Sequence, residues 1–153
     1  MTAPARLWLA ALHHSAFLNG GWAWVRAAGG EVAGAAGGDR RTSRARMALA
    51  GLADALKDLP RGALVLHVSP EDAALLAPLF GGEPPAEADT AAYAPAVAAL
   101  AGRDARLATI AAPAATPLGF AAAWAEFGSD RAKAKGAFRS AIPKPNLAKV
   151  PGL

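Results

Sequence analysis

Asn19-Gly20-Gly21-Trp22-Ala23-Trp24-Val25-Arg26 alternates with a period of two, which places Trp22, Trp24 and Arg26 on one side of a strand that Asn19-Gly20-Gly21 introduces as a loop. Gly29-Gly30 supplies the positive φ angles of a tight hairpin, so residues 31–36 return as a neighbouring strand. Upstream, residues 7–12 are nearly all apolar, as expected of a strand covered on both faces. Three antiparallel strands in a meander are the simplest arrangement. Trp22 and Trp24 then read as core beneath a helix, with base stacking as the alternative.

Working outward, Ser43 is an N-cap, and Leu49, Leu52, Leu56 and Leu59 recur at intervals of three, four and three to make one apolar stripe. A helix over 44–58 follows, closed by Pro60. Ala63-Leu64-Val65-Leu66-His67-Val68 has the profile of a buried parallel strand, and Ser69-Pro70-Glu71-Asp72 starts a helix with a cap, a first-turn proline and first-turn acids. Residues 81–89 read as an acidic Pro/Gly loop, 90–101 as a helix that Pro95 either kinks or starts, and 106–111 as the last strand. Residues 117–135 are mostly helix, with a break or second cap at Gly128-Ser129-Asp130. The prolines at 143, 145 and 151 make the last dozen residues extended or disordered, so a domain over 5–138 and a basic tail over 139–153 are expected.

The chain of 153 residues, 54% hydrophobic and 18% charged, suffices for one compact core. It has no cysteine, which removes disulfides, thiolate zinc sites and cysteine nucleophiles together. Arg6 is followed by only six apolar residues before His13-His14, too few for a secretory signal, and the uncharged run 107–125 is interrupted by Pro113, Pro117 and Gly119. No membrane span and a cytoplasmic location are the expectation. The net charge of +4 is uneven. Residues 131–153 carry Arg131, Lys133, Lys135, Arg139, Lys144 and Lys149 with no acid, hence +6, while the other 130 residues hold 10 bases and 12 acids, hence −2. A second basic concentration is Arg40, Arg41, Arg44 and Arg46. Both suit polyanions, nucleic acid first.

Gly20-Gly21-Trp22, Arg46-Met47-x-Leu49 and the order of elements together make the chain, over roughly residues 5–136, resemble ribonuclease H. The resemblance implies an α/β fold with a mixed five-stranded sheet, three antiparallel strands then two parallel, flanked by helices. It also implies cleavage of the RNA strand of an RNA–DNA hybrid by two divalent cations held on clustered carboxylates. Those carboxylates are missing here. No acid precedes Glu31, so Ala10, Leu12 or His13 stands where the family has its strand-one Asp; the helix Glu position is Ala48 and the strand-four Asp position is Ser69. The final-helix carboxylate falls near Ala123 without a gap, or at Asp130 with an insertion. Magnesium needs oxygen ligands, which alanine does not supply. No catalytic residue, metal or cofactor is therefore assigned. Glu71, Asp72 and Asp54 read as helix-capping or solvated acids, His67 as a core or strand-end histidine, His13 and His14 lack accompanying acids at ligand spacing, and Ser15 and Ser69 lack a nucleophile elbow.

Gripping nucleic acid is separate from cutting it. In ribonuclease H the turn into the first helix contacts the hybrid backbone, and Thr42-Ser43-Arg44 stands there, with Arg44 and Ala45 in place of the family's paired Asn. The candidate nucleic-acid-binding residues are Thr42, Ser43, Arg44, Arg46, Arg131, Lys133 and Lys135. The expectation is a catalytically inactive ribonuclease H-like domain that binds an RNA–DNA hybrid or other polyanion as an accessory or regulatory factor. The alternatives are a protein-interaction scaffold on the same fold, with the acidic loop 83–89 and the Pro-Lys tail as docking elements, and an active nuclease with a relocated metal site.

Overall fold

The computed structural model describes residues 3–82 and 90–153. Strands β1 (Ala5–His14), β2 (Asn19–Ala28) and β3 (Glu31–Asp39) form the antiparallel meander, with Trp24 of β2 opposite Leu9 of β1 and Ala35 of β3. Helix α1 (Arg44–Leu56) follows, then β4 (Leu64–Val68), which pairs parallel with β1, and α2 (Pro70–Leu76), which runs into a 3-10 turn at Ala77–Phe80. Helix α3 (Thr90–Leu100) leads to β5 (Ala105–Thr109), parallel to β4, and α4 (Pro117–Lys135) closes the pattern.

The sheet order is β5-β4-β1-β2-β3 with one strand more than expected: β6 (Phe138–Ala141) pairs antiparallel with β3. The expected tail is therefore structured. Beyond β6 a short helix α5 (Lys144–Leu147) forms, and Ile142, Leu147 and Val150 are buried. Prolines that forbid a long helix do not forbid one turn followed by apolar anchors, and burying those three side chains holds the segment on the sheet. Pro95 lies inside α3 and does not end it, and α4 runs unbroken through Gly128-Ser129-Asp130. The acidic stretch 83–89 lies outside the described residues.

Alternation along the strands sends side chains to two cores. Leu7, Leu9, Ala11, Trp22 and Trp24 face α1, α3 and the end of α2. Trp8, Ala10, Ala23, Val25 and Ala36 face α4 and the C-terminal anchors. Trp22 and Trp24 are thus core, covered by α1, and the indole nitrogen of Trp24 donates to Asp54 (2.8 Å). Helix α4 lies close on the sheet because both surfaces are small there: a Cβ on Gly21 would overlap the Ala125 carbonyl, and one on Gly128 the Gly37 carbonyl. Among the described residues no helix is long and apolar enough to cross a membrane.

Candidate nucleic-acid interface

The positions that the ribonuclease H resemblance assigns to carboxylates lie between β1, the start of α1 and the start of α2. Ala48 is fully buried there, and Ala11 supplies a backbone amide. Ser69 caps α2 by accepting from the Asp72 amide (3.1 Å), which turns Asp72 inward instead of leaving it solvated as expected. Its Oδ2 accepts from the Ala11 amide (3.3 Å) and its Oδ1 from Arg44 Nε (2.8 Å), while Arg44 Nη1 donates to Glu71. Burial raises the Asp72 pKa above its ordinary value, and the hydrogen bond and charge of Arg44 only partly offset that.

Two carboxylates do converge, then, but on a guanidinium from the same chain. A pair of magnesium ions does not fit this donor set: Ala48 and the alanines of β1 offer no oxygen side chain, and the oxygens of Asp72 are already committed to Arg44 and Ala11. Among the described residues no group of three or more His, Asp or Glu side chains is arranged to hold a metal ion. His14 Nε2 lies 2.9 Å from Glu126, at the half-exposed surface. His67 stacks on Trp8 at 5.1 Å, and its pKa is lowered by burial first and by the charge of Arg6 second. Asp130 is exposed on α4, on the sheet face opposite α1, beside His14, Phe17 and Lys133.

The basic residues sort into two kinds. Arg44 is neutralised by Glu71 and Asp72, so its charge is directed inward. Ser43 spends its hydroxyl oxygen on the Arg46 amide as the α1 cap (3.1 Å). The Thr42 amide donates to the Leu18 carbonyl (3.1 Å), which ties the entry of α1 to the β1–β2 turn. Arg46, Arg131, Lys133 and Lys135 are exposed. Lys133 Nζ sits 3.6 Å from the centre of the Phe17 ring in that same turn, and the Arg131 guanidinium lies over Phe127 at 5.5 Å.

Arg40, which in the sequence is one charge among four, organises this edge. Its side chain donates to the carbonyls of Ala132 (3.1 Å), Lys133 (3.2 Å) and Ala134 (2.6 Å), the last turn of α4. A cation there satisfies carbonyls that a helix end leaves unpaired and complements the negative end of the helix dipole. Arg40, of the first basic concentration, is thereby joined to the end of α4 that carries Lys133 and Lys135, some 90 residues away in sequence. Thr42 and Lys133 both contact the β1–β2 turn, at Leu18 and Phe17 respectively.

A meander continued by two parallel strands, with α1 on one face and α4 on the other, is the ribonuclease H-like fold, and this chain has it. The N-terminal RNase H domain of Rv2228c from Mycobacterium tuberculosis, solved fused to maltose-binding protein, superposes with a TM-score of 0.69 at 13% identity over 84% of this chain and 95% of that one. LC9-RNase H1, a type 1 RNase H with the type 2 active-site motif, gives 0.66 at 14% identity over 95% and 80% of the two chains. RNase H1 from the halophilic archaeon Halobacterium salinarum NRC-1 gives 0.65 at 18% identity over 84% and 99%. The sequence matches no protein-family model and no curated protein.

Proposed function

We propose that this chain is a ribonuclease H-like protein without nuclease activity that binds nucleic acid as an accessory or regulatory factor. The observation that supports the binding half is the Arg40 clamp, because it ties Arg40 to the end of α4 that carries Lys133 and Lys135, with Arg41 next in sequence and Thr42 bonded to the β1–β2 turn. Such a surface meets phosphates without reading bases. The inactive half rests on Arg44, a cation held by Glu71 and Asp72 at the starts of α1 and α2.

Incubation of a labelled RNA–DNA hybrid with the protein and magnesium or manganese is expected to leave the RNA strand intact. Cleavage abolished by Asp72→Asn or Asp130→Asn would overturn inactivity. Binding should weaken as salt rises, and Lys133→Ala or Lys135→Ala should each reduce the slope of log K against log salt by about 0.7–0.9, the value of one phosphate contact. Arg44→Ala should leave that slope nearly unchanged, because its charge is already compensated. Slopes identical in the wild type and both lysine variants would remove the proposed surface.

A further inference from the structure

We propose that the β1–β2 turn is a stacking tip for the bases of single-stranded nucleic acid, with Phe17 as the platform and the surrounding cations gripping phosphates; this deepens, and rests on, the nucleic-acid reading above. Phe17 is 62% exposed, the most exposed large apolar side chain among the described residues, and its neighbour Leu18 is 51% exposed. Two adjacent apolar residues displayed to water at a turn are unfavourable for a folded chain on its own. Leu18 also has a φ of 56°, in the left-handed region where a branched side chain is strained, and such strain clusters where function requires a particular presentation.

The turn is held, not loose. The Phe17 amide donates to the His14 carbonyl (3.3 Å), and the Leu18 carbonyl accepts from Thr42. Asn19, at the end of the turn, is buried and donates through Nδ2 to the backbone oxygen (2.9 Å) and hydroxyl (2.7 Å) of Ser129 on α4. The exposed ring is therefore presented with little ordering left to do on binding, which favours affinity.

Charge selects the occupant. Lys133 Nζ lies against the ring, and an apolar protein surface docking on Phe17 would bury that ammonium together with the neighbouring Asp130 and Glu126 carboxylates, a desolvation that an apolar partner does not repay. A nucleotide brings both a planar face for the ring and a phosphate for the ammonium. Beside Phe17 runs a cleft of about 390 Å3, roomy enough for a base, edged by Asn19, Glu126, Asp130 and Lys133. Asp130 there repels phosphate but accepts hydrogen bonds from exocyclic amino groups, while Glu126 is engaged by His14, so a base is oriented inward and its backbone outward. A duplex keeps its base faces covered by stacking, which leaves unpaired strands as the ligand.

The test compares a fluorescent mixed-sequence DNA strand of about 12 nucleotides with an abasic strand of equal phosphate count and with the corresponding duplex. Wild type should bind the base-bearing strand about ten-fold tighter than the abasic one, the scale of one stacked base. Phe17→Ala should close that gap without changing affinity for the abasic strand, and Phe17→Trp should restore it. A 2-aminopurine in the strand should be quenched by wild type and not by Phe17→Ala. Equal binding of base-bearing and abasic strands, a gap undiminished in Phe17→Ala, or tighter binding of the duplex would each overturn the stacking tip while leaving backbone binding intact. Failure of every strand to bind, abasic included, would overturn both this inference and the function it rests on.

Discussion

Arg44 sets the electrostatic surroundings of Asp72. Because burial raises the Asp72 pKa above 3.8, the folded state holds its proton more readily than the unfolded chain. The stability Asp72 contributes is therefore greatest in acid and is withdrawn as pH rises through its folded pKa. Arg44 limits that loss at neutral pH. Arg44→Ala should cost about 2–3 kcal/mol at pH 7 by urea unfolding, somewhat below a fully buried pair because the Arg44 side chain is about a third exposed, and less at pH 4. Asp72→Asn, which keeps an acceptor for the Ala11 amide and removes the charge, should cost much less at pH 7 than Arg44→Ala. His67 has the opposite sense. Its pKa lies below 6.5, so the unfolded chain takes up a proton first and stability falls as pH drops below about that value. In thermal melts His67→Gln should lose less stability than wild type between pH 7 and 5. The lack of any acid at 10–13, 48 and 69 is legible in the sequence; the pairing of Arg44 is not, since its partners Glu71 and Asp72 lie 27 and 28 residues away.

At the scale of elements, the most demanding contact is α4 on the meander. Alanine ordinarily suits a helix interior better than glycine by about 0.5–1 kcal/mol. At Gly128 the sign reverses, because the new Cβ meets the Gly37 backbone, which cannot turn aside as a side chain would. Gly128→Ala should destabilise the protein by about 2–3 kcal/mol in urea titration, while Gly62→Ala, with open space around it, should not. The meander and α1 are legible because their apolar periods run over 10 and 13 residues. Gly128-Ser129 reads as a break only because local propensity is blind to the glycine-rich strand beneath it. Strand β6 escapes because four residues, Phe138-Arg139-Ser140-Ala141, are too few to show a period, and α5 because its prolines outweigh its one buried leucine.

At the scale of the whole molecule, residues 138–150 return across the sheet and change which strand lies at its edge. Both outer strands are short, five residues in β5 and four in β6. Short outer strands offer few unpaired amides and carbonyls to a neighbour. Without β6, the outer strand would be β3, nine residues long, rich in glycine and alanine and uncharged between Glu31 and Asp39. Truncation after Gly136 should thus do more than lower stability through loss of Ile142, Leu147 and Val150: light scattering should show concentration-dependent self-association that the full chain does not show. The C-terminal segment, basic and proline-marked, lies along the long edge of β3 as a hem lies along a cut edge.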